Sequence, residues 1–148
     1  MKIHNESIVS YETAKLLKEA GFNDTCRAFW KVWNGKINLY NCDKGQCFDY
    51  CCNNMLEMYN DSSEENVAAP TLQMARIWLY EKTKLDVLVY LNGKSYVFVI
   101  YVDKSPLTQL EMDSYDTYDE AMEHGIKYCL VHLRHWFKTK HWFKDDSH

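Results

Sequence analysis

Residues 85–102 read LDVLVYLNGKSYVFVIYV. Two runs rich in β-branched and aromatic residues flank Asn92-Gly93, and Asn-Gly is the strongest short signal for a β-hairpin. The stretch therefore reads as strand Leu85–Leu91, a tight turn, and strand Lys94–Val102. Its alternation puts Val87, Val89 and Leu91 on one face and Leu88 and Tyr90 on the other. In the second strand Val97, Val99 and Tyr101 oppose Tyr96, Phe98, Ile100 and Val102. Both faces are apolar, whereas an antiparallel hairpin with one solvated face alternates more cleanly. A helix layer, another hairpin or another subunit must cover the second face.

Working outward, Thr25–Tyr40 carries the same grammar around Asn34-Gly35. Cys26, Ala28, Trp30 and Val32 alternate there with Arg27, Phe29, Lys31 and Trp33, which predicts a drier and a wetter face. A helix over Tyr11–Ala20 precedes it, with Ser10 as N-cap, Glu12 in the first turn and Gly21 as the C′ stop. A second helix follows Pro70, which suits a first helical position, and runs to about Lys84. Its apolar stripe is Leu72, Ala75, Ile77, Trp78 and Leu79. The last helix opens on a capping box, Thr117 to Glu120. It buries Ala121, Met122, Gly125, Ile126, Cys129, Leu130 and Leu133. Between these, a short helix fits Cys51–Tyr59, and the polar run Asn60–Asn66 reads as an exposed loop.

The order is α-ββ-α-ββ-α, an α+β chain: a two-layer domain in which an antiparallel sheet from two β-hairpins is packed by about three helices. At 148 residues the chain suits one domain spanning 1–148, with 134–148 as an extended or docked aromatic and basic tail. The formal net charge of −4 gives no global attraction to nucleic acid or an anionic membrane. MKIHNESIVSYE lacks the basic and apolar regions of a signal peptide, and no apolar run reaches the length of a membrane span. A cytoplasmic location in a bacterial cell, with the six Cys as thiols, is the expectation.

Four segments resemble a family of small, uncharacterised proteins common in Bacteroidetes genomes, phages and mobile elements. They are VSYETAKLLKEAGF (9–22), APTLQMARIWL (69–79), the strand pair after it, and YDEAMEHGIKYCLVHL (118–133). The resemblance implies a phage or mobile-element origin and an intracellular life. It carries no activity, cofactor or catalytic residue. The Cys-rich stretch Cys42–Cys52 and the tail depart from the family.

Cys42, Cys47 and Cys51 are the candidate metal ligands. Zinc sites commonly use pairs separated by two to four residues with a second pair farther on, and that pattern is missing. No cofactor is expected, with zinc as the competing reading. In the tail, His135-Trp136-Phe137-Lys138 recurs as His141-Trp142-Phe143-Lys144. Three readings stand. Either the helix continues and docks, or Trp136, Phe137, Trp142 and Phe143 anchor a partner protein or a second copy. In the third, Arg134, Lys138, Lys140 and Lys144 contact nucleic acid phosphates while the rings stack on bases. The carboxylates Glu111 to Glu123 fall around a loop and helix start, where they cap and solvate. No phosphate-binding glycine loop or hydrolase motif is present. The expected function is a non-catalytic, self-associating protein-interaction accessory protein, with nucleic-acid binding by the tail as the alternative.

Overall fold

A computed structural model describes residues 7–42, 50–107 and 113–132. The chain divides between Thr71 and Leu72 into two compact units. The α+β class holds, with four helices and two three-stranded antiparallel sheets among the described residues. The two hairpins do not share one sheet: each forms its own, inside its own unit.

The first unit starts with α1, Tyr11–Glu19, capped as expected by Ser10, whose hydroxyl accepts from the Thr13 N–H at 3.3 Å. Gly21 takes φ +105°. The Phe22 N–H reaches the Leu17 carbonyl at 2.9 Å and the Gly21 N–H reaches Lys18 at 3.0 Å, the paired bonds of a Schellman motif. Strands β1 (Ala28–Trp33) and β2 (Lys36–Asn41) close on Asn34 and Gly35, both at positive φ, as a type I′ turn requires. A five-residue α2, Asn53–Glu57, lies within the stretch expected to be helical.

The expected loop Asn60–Asn66 is corrected at its end. Glu64–Ala68 is strand β3, paired antiparallel with β1 on the side away from β2. Its polar residues are matched: Glu64 pairs with Lys31 at 3.3 Å, Glu65 accepts from the Tyr11 hydroxyl at 2.7 Å, and buried Asn66 bonds to Asn60 and Glu64. The Val9 N–H on the Pro70 carbonyl, 3.0 Å, then joins the two ends of the unit. Burial along β1 is not divided between a dry and a wet face. Ala28 and Phe29 are buried, the middle is half-buried and Trp33 is exposed, so dryness fades toward the hairpin tip.

Asn53 sits at the centre of this unit, 5% exposed. Its amide nitrogen donates to the Phe22 carbonyl and its oxygen accepts from the Ala68 N–H, both at 2.9 Å. One carboxamide thereby holds the end of α1, the start of α2 and the end of β3.

The second unit opens with α3, Leu72–Thr83, so Pro70 lies ahead of the helix rather than in its first turn. Of the expected stripe, Leu72, Ala75, Trp78 and Leu79 are buried, but Ile77 is 47% exposed. It lies about 100° around the helix from Trp78, and the buried arc already closes without it. Strands β4 (Leu85–Asn92) and β5 (Ser95–Val102) pair from Leu85↔Val102 to Asn92↔Ser95. Asn92 therefore belongs to the ladder, and the turn residues are Gly93, at positive φ, and Lys94. Glycine alone in the first central position marks the II′ alternative to the type I′ turn of the first hairpin. A further tight turn at Asp103 and Lys104, both at positive φ, leads to β6, Ser105–Pro106.

Helix α4, Tyr118–His132, has the first bond of its expected box, the Glu120 N–H on Thr117 Oγ1, while Glu120 Oε1 accepts from the Asp116 N–H, one residue before the cap, both at 3.1 Å. Ala121, Met122, Gly125, Ile126, Cys129 and Leu130 are buried as expected; Leu133 lies outside the described residues. Helix α4 packs on β4 and β5, and so covers the face that includes Leu85, Val87, Phe98 and Ile100. On the opposite face Val97 is buried, Leu88, Val99 and Tyr101 are half-buried, and Tyr90 is exposed. Arg76 fastens α3 to β4 through both Asp86 carboxylate oxygens, at 2.9 and 3.3 Å.

Gly125 is where α4 touches the sheet most closely. A Cβ there would clash with Val87 Cγ1 and lie 3.1 Å from the Phe98 ring. Gly125→Ala gains about 1 kcal/mol of helix propensity but overpacks a rigid β-branched neighbour at about 1–3 kcal/mol. A net loss is expected, read as a lower urea midpoint; a raised midpoint would contradict the close approach. In the first unit, Asn53→Ala strands a buried carbonyl and a buried N–H at about 1–3 kcal/mol each, so roughly 2–6 kcal/mol of stability should go. Urea unfolding of that variant reads this directly, and a loss below 1 kcal/mol would refute the bridging role.

Candidate functional site

Three groups of residues could carry function. The first is the thiols. Cys26 and Cys51 exchange both backbone hydrogen bonds, at 2.7 and 2.9 Å, in an isolated antiparallel bridge. Cys42 comes beside them from the end of β2, its N–H on the Arg27 carbonyl at 2.7 Å. The fold thus gathers Cys42 and Cys51, two of the three candidate metal ligands, while Cys47 lies outside the described residues. Among the described residues no three His, Cys, Asp or Glu side chains are placed to hold a metal.

The thiols sit in dry surroundings. Burial pushes the Cys26 thiol up to about 12, with Asp24 and the neighbouring thiols adding to it. Burial, followed by the adjacent Cys42, pushes Cys51 up as well, and burial does the same to Cys129. A nucleophilic or metal-binding cysteine needs the opposite, an electropositive setting that favours thiolate.

The second group is a groove in the second unit, with a volume of about 640 Å³. Its floor is Phe98 of β5, beside Tyr115, which the two-way backbone bridge to Tyr96 fixes at 2.8 Å each way. Its wall is one face of α4, where His124, Tyr128 and His132 recur every four residues and so stack above one another. Lys127 and Val131 lie beside them, and Asp113 stands at the rim. Five rings form a continuous chain. His124 stacks on Tyr115 at 4.5 Å, Tyr115 on Phe98 at 6.2 Å, Phe98 meets Tyr128 at 6.2 Å, and Tyr128 meets His132 at 4.6 Å. Burial, then the Asp113 charge, pushes the Tyr115 pKa above its ordinary value, so its hydroxyl remains a neutral donor. Sequence reading missed this groove, although the His-x3-Tyr-x3-His spacing beside the buried stripe of α4 was the available signal.

The third group is strand β2. It is the outer strand of its sheet, and Ile37 (49%), Leu39 (39%) and the adjoining Trp33 (56%) are exposed. The Cys42-to-Arg27 bond fixes the parity of the ladder. Lys36, Asn38 and Tyr40 turn their backbone groups toward β1, while Ile37, Leu39 and Asn41 turn theirs away from it. No strand pairs with that outer edge among the described residues.

The tail candidates Trp136, Phe137, Trp142 and Phe143, and the cations Arg134, Lys138, Lys140 and Lys144, lie outside the described residues. No helix among the described residues is long and apolar enough to cross a membrane. No family model, curated protein or solved structure matches the chain.

The thiols make stability depend on alkaline pH. Below about pH 9 they are protonated whether the chain is folded or not. Above it the unfolded chain releases thiol protons that the fold retains, so stability falls as pH rises from 9 toward 12. Each buried thiol contributes a slope of up to about 1.4 kcal/mol per pH unit. Urea titrations across that range should show the decline, and Cys26→Ala should flatten it. An unchanged slope in that variant would contradict a buried, protonated Cys26.

Proposed function

We propose that this chain is a non-catalytic protein-interaction module that self-associates through the outer edge of β2. It would act in the cytoplasm of a bacterial cell as an accessory protein of a phage or mobile element, the origin implied by its resemblance. Buried, protonated thiols suit a reducing compartment. They also suit packing rather than catalysis.

The observation that carries the reading is that no strand among the described residues pairs with the outer edge of β2, which is apolar beside it. Soluble proteins usually blunt such an edge with proline, a bulge or inward-pointing charge. Strand β2 has neither proline nor bulge, and its single charge, Lys36, stands at its first residue. A second copy is the occupant that fits. With two β2 strands antiparallel about Asn38, the outward pairs become Ile37 with Leu39 and Leu39 with Ile37, joined by four backbone bonds. The same register sets Lys36 opposite Tyr40, an ammonium beside a ring. An isologous twofold contact needs such self-complementarity.

Native mass spectrometry of the intact chain should show twice the chain mass. Leu39→Pro removes an outward N–H that the hairpin does not use, and proline is tolerated at such edge positions. That variant should be monomeric with its circular dichroism preserved, as should Ile37→Lys. A monomeric parent protein, or a dimer that survives both changes, would overturn edge pairing.

A further inference from the structure

The chain contains two Asn-Gly steps, and the fold places them one residue out of phase with their turns. Asn34 and Gly35 are both central turn residues, at φ +57° and +77°, and the ladder closes outside them on Trp33 and Lys36. Asn92 is instead the last ladder residue of β4, opposite Ser95, and of its step only Gly93 enters the turn. Both tips are exposed, so water reaches each of them. An Asn side-chain amide next to Gly is open to attack by the Gly backbone nitrogen, because no Cβ obstructs the approach. The nearly flat five-membered ring that results requires Cβ of Asn to eclipse that nitrogen. A type I′ turn holds ψ of its first central residue near +30°, and flipping the central peptide to type II′ carries it to about −120°, which is the eclipsed arrangement. The flip leaves the flanking strands in place, and Gly35 accepts the change in sign of φ that goes with it. At Asn92 the same torsion is held near the extended value of about +135°, and turning it pulls the carbonyl out of its pair with Ser95.

We propose that Asn34 is a site of spontaneous deamidation, selected over Asn92 by the register of its turn. The Gly35 nitrogen attacks Asn34 Cγ, the new C–N bond replaces the Cγ–Nδ2 bond, and the Gly35 amide proton leaves with the departing nitrogen as ammonia. Water then opens the cyclic imide at one of its two carbonyls. Opening at Cγ leaves an aspartyl residue in an ordinary main chain. Opening at the main-chain carbonyl leaves an isoaspartyl residue, whose backbone is longer by one carbon that the Trp33–Lys36 pair must absorb. Either product sets a carboxylate beside Lys36, the first residue of β2. The reaction lies within the turn and does not depend on what pairs with the outer edge of β2.

The test is a timed incubation of the full-length chain in mildly alkaline buffer, once folded and once unfolded in urea, followed by brief trypsin cleavage and mass spectrometry. Cleavage after Lys31, Lys36, Lys84 and Lys94 separates the two steps into peptides 32–36 and 85–94. Conversion reads as replacement of the amide by a carboxyl group in the peptide mass, and isoaspartate as a second chromatographic peak of that same mass. The rate at Asn34 relative to Asn92 should be roughly 2- to 12-fold higher in the folded chain than in urea, the effect of one ladder hydrogen bond that only Asn92 must break. A ratio that unfolding leaves unchanged, or one that favours Asn92 in the folded chain, would overturn the proposal. So would an Asn34 that stays intact in the folded chain over a period in which the unfolded chain converts.

Discussion

The first unit is closed by one side chain. A buried carboxamide must find partners for both its oxygen and its nitrogen, and Asn53 finds them on segments that are far apart in sequence. Because Phe22 follows the Schellman turn of α1 and Ala68 ends β3, this one residue brings the helix layer and the sheet into register. The central strand β1 then has a fixed ladder on each side. The parity that sends Ala28 toward Ala69 and Arg27 toward Cys42 also decides which backbone groups of β2 face outward. The outward set of β2 is thus fixed by hydrogen bonding well away from that edge.

The second unit is held in a different way. It has a long apolar hairpin and a helix pressed against it at a residue without a Cβ. Close approach of α4 places the flank of that helix, beside its buried stripe, so that imidazole and phenol rings stand next to Phe98. The groove is therefore a by-product of tight packing: the residues that bury and the residues that line it alternate along one helix.

Much of this architecture was legible in the chain, and the reasons are local. Asn34-Gly35, the Gly21 stop and the Thr117–Glu120 box act within a few residues, so composition alone reveals them. Strand β3 was hidden because Glu64, Glu65 and Asn66 read as loop until Lys31, Tyr11 and Asn60 satisfy them. The register of the second hairpin was hidden because Gly93 supports either of two turns, and the choice depends on the ladder beyond it. The groove was hidden for a third reason. Its rings come from positions 98, 115 and 124–132, and only the folded chain places them in one row.

The bond between the Val9 N–H and the Pro70 carbonyl has a consequence for synthesis. The first unit joins its beginning to its end, and β3, which completes its sheet, comes last in sequence. A chain emerging from the ribosome can form α1 and the first hairpin early, since both are local. It cannot close the unit until Pro70 is free. Until then β1 has two unpaired edges in succession, first awaiting β2 and then β3, which is the period when a nascent chain is most exposed to wrong pairing. The second unit faces no comparable delay at its hairpin, whose two strands follow one another directly. Translation speed around residues 60–70 would therefore govern how long that unfinished sheet stays open.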